Sequence, residues 1–123
     1  MFVQGNIKKT AKQNGDFRRV LATGKQSQLV VMSIPAGEDI GSEVHKGTDQ
    51  ILFVVDGEGR AIVNGKSFEV EKNDAVFVPA GAEHNVINDG DEDLKLFTVY
   101  SPPEHADGTV HSTKADALAA EHA

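Results

Sequence analysis

Two stretches of the chain set a histidine between turn residues on an otherwise apolar run. The first goes from Gly37 through Glu43, Val44, His45 and Gln50 to Gly57. On an extended strand Glu43 and His45, two residues apart, project from the same face, so a carboxylate and an imidazole converge on one point. Gln50 lies five residues beyond His45, the opposite face of an unbroken strand. Lys46 to Asp49, with Gly47 inside, must therefore turn or bulge to bring it back. The second stretch goes from Asn73 through Pro79, Ala80, Gly81 and His84 to Asn88, and Pro79 with Gly81 sets a turn that delivers His84 at the start of a strand. There is no cysteine. Disulfides, iron–sulfur clusters, thiolate zinc sites and cysteine nucleophiles are thus excluded, and any metal must take imidazole, carboxylate, amide or water ligands.

This pair of spacings resembles the two-part signature of the cupin superfamily, and the likeness to a small single-domain cupin runs over nearly the whole chain, residues 1–123. Its parts are a first motif at 37–57, a second at 73–88, and a C-terminal crossing and helix at 101–123. In that family the first motif supplies two histidines and a glutamate and the second a further histidine, all on one divalent metal inside a barrel. His45 and His84 stand at ligand-histidine positions, Glu43 where the first histidine is expected and Gln50 where the glutamate is expected. Asn73 replaces the second motif's opening glycine. The resemblance therefore implies Glu43, His45, Gln50 and His84 as metal ligands, with the charge of the family's set kept and its carboxylate moved. Such nitrogen and oxygen ligands suit Fe(II), Mn(II), Ni(II), Co(II) or Zn(II).

The implied activity is that of a metal-dependent enzyme on a small oxygenated substrate: a sugar or keto-acid isomerase, a lyase, or a dioxygenase. Glu43, displaced from the ion by substrate, is the candidate catalytic residue for proton transfer. The replaced ligands favour an alternative, a non-catalytic module that binds or senses a metal and a small ligand. A third reading keeps the barrel only to form a dimer. Against all of these stands the plain reading that Glu43 faces solvent and both histidines merely hydrogen-bond within the fold.

Other motifs fail on their own terms. Gly57-Glu58-Gly59 opens like a dinucleotide loop, but Ile62 stands at the third glycine position and no helix follows, so it is a turn. Asp89, Asp91 and Asp93 have calcium-loop spacing, yet Leu94 replaces the obligatory glycine and Tyr100 the bidentate glutamate.

The elements that must position the histidines are short strands. Runs rich in Val, Ile and Phe recur at Phe17–Ala22, Gln28–Ile34, Ile51–Val55, Arg60–Val63, Ser67–Val70, Ala75–Val78, His84–Ile87 and Leu94–Tyr100, punctuated by glycines. The fold class expected is all-β, a double-stranded β-helix or jelly-roll barrel. Asn64-Gly65 predicts a hairpin joining Arg60–Val63 to Ser67–Val70, and Asp89-Gly90 one joining His84–Ile87 to Leu94–Tyr100. One helix is expected, at the C-terminus, where Thr113 caps Lys114 to Glu121. Phe53, Phe77, Phe97, Val54, Val78 and Val99 read as core filling the barrel. Tyr100, Glu104, His105 and His111 could fold over the barrel mouth, but the run around Pro102 and Pro103 reads as a solvated extended crossing. His122 reads as exposed and without a role.

Twelve Lys and Arg against 19 Asp and Glu give a formal charge of −7. No basic footprint exists for nucleic acid or an anionic membrane, and a small molecule is the expected partner. The longest apolar run, Ile51 to Val55, is far short of the ~20 residues that span a bilayer. Met1 to Lys9 has no apolar signal segment, so the expected location is cytoplasmic. The family resemblance implies a homodimer through edge strands, with Phe17–Ala22 and Gln28–Ile34 as the candidates.

Overall fold

The computed structural model describes residues 1–121; His122, and what was expected of it, lies outside the described residues. Strands β1 (Arg18–Thr23), β2 (Gln28–Ile34), β4 (Asp49–Asp56), β7 (Ala75–Val78), β9 (Leu94–Ser101) and β10 (Val110–His111) form one antiparallel sheet in the order β10-β1-β2-β9-β4-β7. Strands β3 (Glu43–Val44), β5 (Glu58–Val63), β6 (Lys66–Glu71) and β8 (Glu83–Ile87) form the second, in the order β3-β8-β5-β6. The period of two decides what lies between them. Val30, Met32 and Ile34 of β2, Leu52 and Val54 of β4, and Leu94 and Leu96 of β9 meet Ala61, Val70 and Val86 of the smaller sheet in one buried cluster. This is the all-β jelly-roll barrel expected, and its C-terminal helix α2 (Lys114–Glu121) begins where Thr113 Oγ1 accepts the Asp116 amide at 3.1 Å.

The helix α1 (Ile7–Gln13) was not foreseen. Asn6 caps it by accepting the Lys9 amide at 3.0 Å, and it lies across the outside of the larger sheet with Ala11 buried against Val31 and Val55. Two apolar positions in one short helix are too faint a period to read from sequence; the sheet beneath supplies the stability. That sheet face also corrects the expected core. Val54 and Val78 fill the barrel, but Phe53 and Phe97 stack at 4.9 Å between their rings on the outer face beside α1, Val99 is half-buried there, and Phe77 is 59% exposed. Alternation that turns Gln50, Leu52 and Val54 inward must turn Phe53 outward.

Of the two hairpins, one forms. Asn64 and Gly65 take the positive φ angles of a tight turn and pair β5 with β6. The segment after β8 instead crosses from one sheet to the other, because β8 pairs with β3 and β5 while β9 pairs with β2 and β4. Buried Asn88 organises that crossing by donating to the Ile34 and Glu92 carbonyls at 2.8 and 2.7 Å and accepting the Gly90 amide at 3.0 Å. Gly57 and Gly59 hold the neighbouring turn against it, since a Cβ on Gly59 would lie 2.4 Å from the Ile87 carbonyl oxygen. The edges proposed for dimerisation are also covered: β2 lies between β1 and β9, and β1 carries β10 along its other side.

Candidate metal centre

The smaller sheet brings three of the four implied ligands together. Glu43 on β3 stands directly across from His84 on β8, and His45 follows β3 on the same face. The His45 carbonyl accepts the Gly81 amide at 2.8 Å, which ties the first motif to the turn preceding His84. As a result Glu43, His45 and His84 each offer one ligand atom within 4.8 Å of the others, and this group could hold a metal ion. The histidine rings are 5.1 Å apart. Gln50 comes from the other sheet. The turn between β3 and β4 does bring it inward, where it is buried opposite Tyr100, with Nε2 donating to Thr98 Oγ1 at 3.0 Å.

The outer partners of both imidazoles suit metal ligation. His84 Nδ1 donates to the Ala82 carbonyl at 3.2 Å, which leaves Nε2 as the free lone pair. His45 Nδ1 meets Glu104 Oε1 at 3.0 Å, a carboxylate that orients the ring and raises its basicity. His45 Nε2 then lies 3.0 Å from Glu43 Oε2 without hydrogen-bond geometry, and Gln50 Oε1 has no partner among the described residues. Two donors each about 2.1 Å from one ion and at right angles are about 3 Å apart, so the His45–Glu43 separation fits a shared ion.

The C-terminal crossing is part of this site and not the solvated connection expected. Glu104 Oε2 accepts from Thr48 Oγ1 at 3.2 Å while its other oxygen holds His45. Behind it Gln28, 1% exposed, grips the backbone of the crossing: Nε2 donates to the His105 carbonyl at 2.7 Å, and Oε1 accepts the Glu104 and His105 amides at 3.3 and 3.0 Å. Tyr100 is buried between His45 and His105, with ring centroids at 5.8 and 5.0 Å. His111 reaches Arg18, whose Nη1 is 3.5 Å from its Nδ1.

Sequence reasoning missed Arg18, Gln28 and Thr48 altogether. Arg18 is 2% exposed, and its Nη2 lies 3.8 Å from Glu43 Oε1. A signal existed in its phase, since Arg18 shares the inward face with Val20 while Arg19 points out.

The environments drive the titrations apart. Burial raises the Glu43 carboxyl, but His45 and the Arg18 charge outweigh it and hold it below the ordinary carboxylate value. Glu43 raises His45 against its burial, and Glu104 adds to the rise. Burial lowers His84, and its neighbour His45 lowers it further. Burial, with the Arg18 charge, brings His105 down to about 4, a neutral ring.

A pH dependence follows. Ligands bind metal deprotonated, so metal affinity falls as pH drops through the raised His45 value, a fall that begins above the ordinary ~6.5 of histidine. In the metal-free protein the sign reverses. Stabilisation from an imidazolium between Glu43 and Glu104 is complete below the unfolded value and is lost as pH rises through the folded one. Metal titrations and thermal unfolding of the metal-free protein between about pH 6 and 9 read both slopes; a metal affinity flat across that range contradicts the assignment of His45.

Among the described residues no helix is long and apolar enough to cross a membrane. A family model described as a cupin domain matches residues 30–100. The uncharacterised protein YrkC of Bacillus subtilis (strain 168) is 50% identical over 124 residues, covering 94% of this chain and 66% of that protein. A crystal structure of a Bacillus halodurans protein superposes with a TM-score of 0.94 at 44% identity, covering 95% of this chain and 93% of the other. A predicted oxalate decarboxylase of Thermotoga maritima superposes at 0.61 with 29% identity, covering 64% of this chain and 69% of the other. Both motifs fall within the matched residues, the barrel is the one the motifs implied, and the chain belongs to the cupin domain family.

Proposed function

We propose that the chain binds one divalent transition metal, Fe, Mn, Ni, Co or Zn, through Glu43, His45, Gln50 and His84, and that it is an enzyme acting on a small oxygenated substrate. The observation that carries this reading is the fixing of both imidazoles from behind, by the Ala82 carbonyl and by Glu104, beside a carboxylate held ionised. A histidine serving only the core has no need of such an arrangement. A bound ion supplies Lewis-acid polarisation of a carbonyl or activation of water. The protein's part is to orient and to move a proton. His84 and His45 are 3% and 9% exposed, whereas Glu43 is 21% exposed, so Glu43 is the group placed to exchange a proton with substrate. Isomerisation of a sugar or keto acid, a lyase step and dioxygenation are all compatible with that set. The Thermotoga maritima relative, described as a predicted oxalate decarboxylase, supports a small oxygen-rich substrate.

A second reading, a module that binds metal and a small ligand without turnover, is favoured by Glu104. Both of its oxygens are engaged, by His45 and Thr48, so it is not free to act as a further base. The test begins with elemental analysis of untagged protein. The protein loaded with Fe(II), Mn(II) or Ni(II) is then screened for oxygen uptake and for conversion of small sugars and keto acids. Turnover with one of these metals is the expected result. Firm metal binding with no turnover turns the assignment to the second reading, and protein that takes up no metal overturns both.

A further inference from the structure

Four buried side-chain nitrogen or oxygen atoms lack a hydrogen-bond partner among the described residues: Arg18 Nε, His45 Nε2, Gln50 Oε1 and His105 Nε2. All four belong to side chains in or around the proposed metal site. They sort by chemistry. Gln50 Oε1 is an acceptor, and so is His45 Nε2 once the ring is neutral with Nδ1 turned to Glu104; both then suit a cation. Arg18 Nε is a donor and calls for an anion, and His105 Nε2 joins it as a donor in one tautomer of its neutral ring. A buried guanidinium with an unmet N–H is costly unless something pairs with it.

We propose that Arg18 is the receptor for a carboxylate group, so that the substrate or ligand of this site is a small carboxylate, a 2-oxo acid or a short dicarboxylate. The inference rests on the metal reading above. Arg18 is not adequately explained as a counter-ion for Glu43. Among the described residues its one carboxylate contact is 3.8 Å, well beyond the roughly 2.7–2.9 Å of a charge-assisted hydrogen bond, and its contact with His111 is 3.5 Å. A structural pair would close that gap and use the fork. The Tyr100 hydroxyl and the face of the Phe17 ring, 5.3 Å from Cζ, are the other neighbours of Arg18, and they still leave Nε without a partner among the described residues; a carboxylate oxygen is the acceptor that this donor matches best. One permanent cation suits one carboxylate, whereas a phosphate ester would bring about two charges and more acceptors than these donors meet. A neutral sugar would leave Arg18 unpaired.

Calorimetry separates this inference from the reading beneath it. Mn(II) is first titrated alone into the wild type and into Arg18→Gln. Oxalate and pyruvate, and their neutral counterparts oxamide and pyruvamide, are then titrated into the metal-loaded proteins. Arg18→Gln is expected to bind Mn(II) within about threefold of the wild type or more tightly, because Arg18 is not a ligand. It should lose about tenfold or more in carboxylate affinity with little change for the amides. Arg18→Lys keeps the charge without the fork and should retain only part of the affinity; it serves if the glutamine variant does not fold. Carboxylate affinity equal to wild type in a folded Arg18 variant that binds Mn(II) overturns the assignment of Arg18 and leaves the metal site standing. A wild type that takes up no Mn(II), Fe(II) or Ni(II) overturns the metal reading and this inference with it.

Discussion

Replacing His45 and His84 together by alanine is expected to abolish metal uptake. The double variant keeps only Glu43 and the Gln50 amide oxygen as donors, and neither soft enough nor numerous enough ligands remain to hold a divalent transition ion. Loss of a single outer partner typically costs about 10–100-fold in metal affinity, and losing two direct nitrogen ligands should cost far more. The fold should survive, because His84 gives up a single hydrogen bond, to the Ala82 carbonyl, and His45 gives up its contacts with two partly exposed carboxylates and its ring packing against His84 and Tyr100. Elemental analysis after dialysis reads the stoichiometry, and thermal unfolding with and without metal gives an independent measure. A ligand at 100 times its Kd stabilises the native state by about 2.7 kcal/mol. The wild type should show an upward shift in melting temperature of that origin and the double variant none. Unchanged stoichiometry in the variant would sink the site assignment.

What made these histidines legible was local geometry. Two residues of spacing on an extended chain suffice to place Glu43 and His45 on one face, and a turn signal suffices to bring Gln50 inward, as it does. The barrel likewise followed from short apolar runs separated by glycines. The failures share a different cause, since each depended on a partner remote in sequence. Asp89-Gly90 carries a real turn signal, but a turn does not say which sheet the next strand will join, and Asn88 is bound to Ile34 on a strand of the other sheet. Phe53 and Phe97 are apolar and on sequence grounds belong inside, yet their strand neighbours fill the barrel interior and α1 makes a second interior outside. Arg18, Gln28 and Glu104 are polar residues that read as solvated until tertiary contacts bury or engage them. Burial of a polar group betrays function most clearly in the folded chain and is hardest to see in the unfolded one.

Gln28→Leu carries the other large expected effect, one that joins stability to the metal. The side chain is 1% exposed, and its amide makes four hydrogen bonds, to Thr23 Oγ1, the His105 carbonyl, and the Glu104 and His105 amides. Leucine nearly keeps the volume and removes every one of them, leaving three backbone groups of the crossing to find water. At about 1 kcal/mol for each hydrogen bond, more where a buried group stays unmet, the cost should be roughly 2–4 kcal/mol. Chemical denaturation at fixed pH measures it, and a loss within about 0.5 kcal/mol would mean that the crossing is solvated after all. The functional half of the expectation is that Glu104 goes with the segment. Once released, its carboxylate no longer orients His45, and metal affinity should fall by about 10–100-fold, the same fall expected of Glu104→Gln. The two substitutions should not add, since both remove one interaction by different routes. If instead Gln28→Leu and Glu104→Gln weaken metal binding independently, the crossing contributes to the site by some means other than the Glu104–His45 contact. If neither weakens it, the C-terminal crossing is a structural strap alone and the basicity of His45 is set by Glu43.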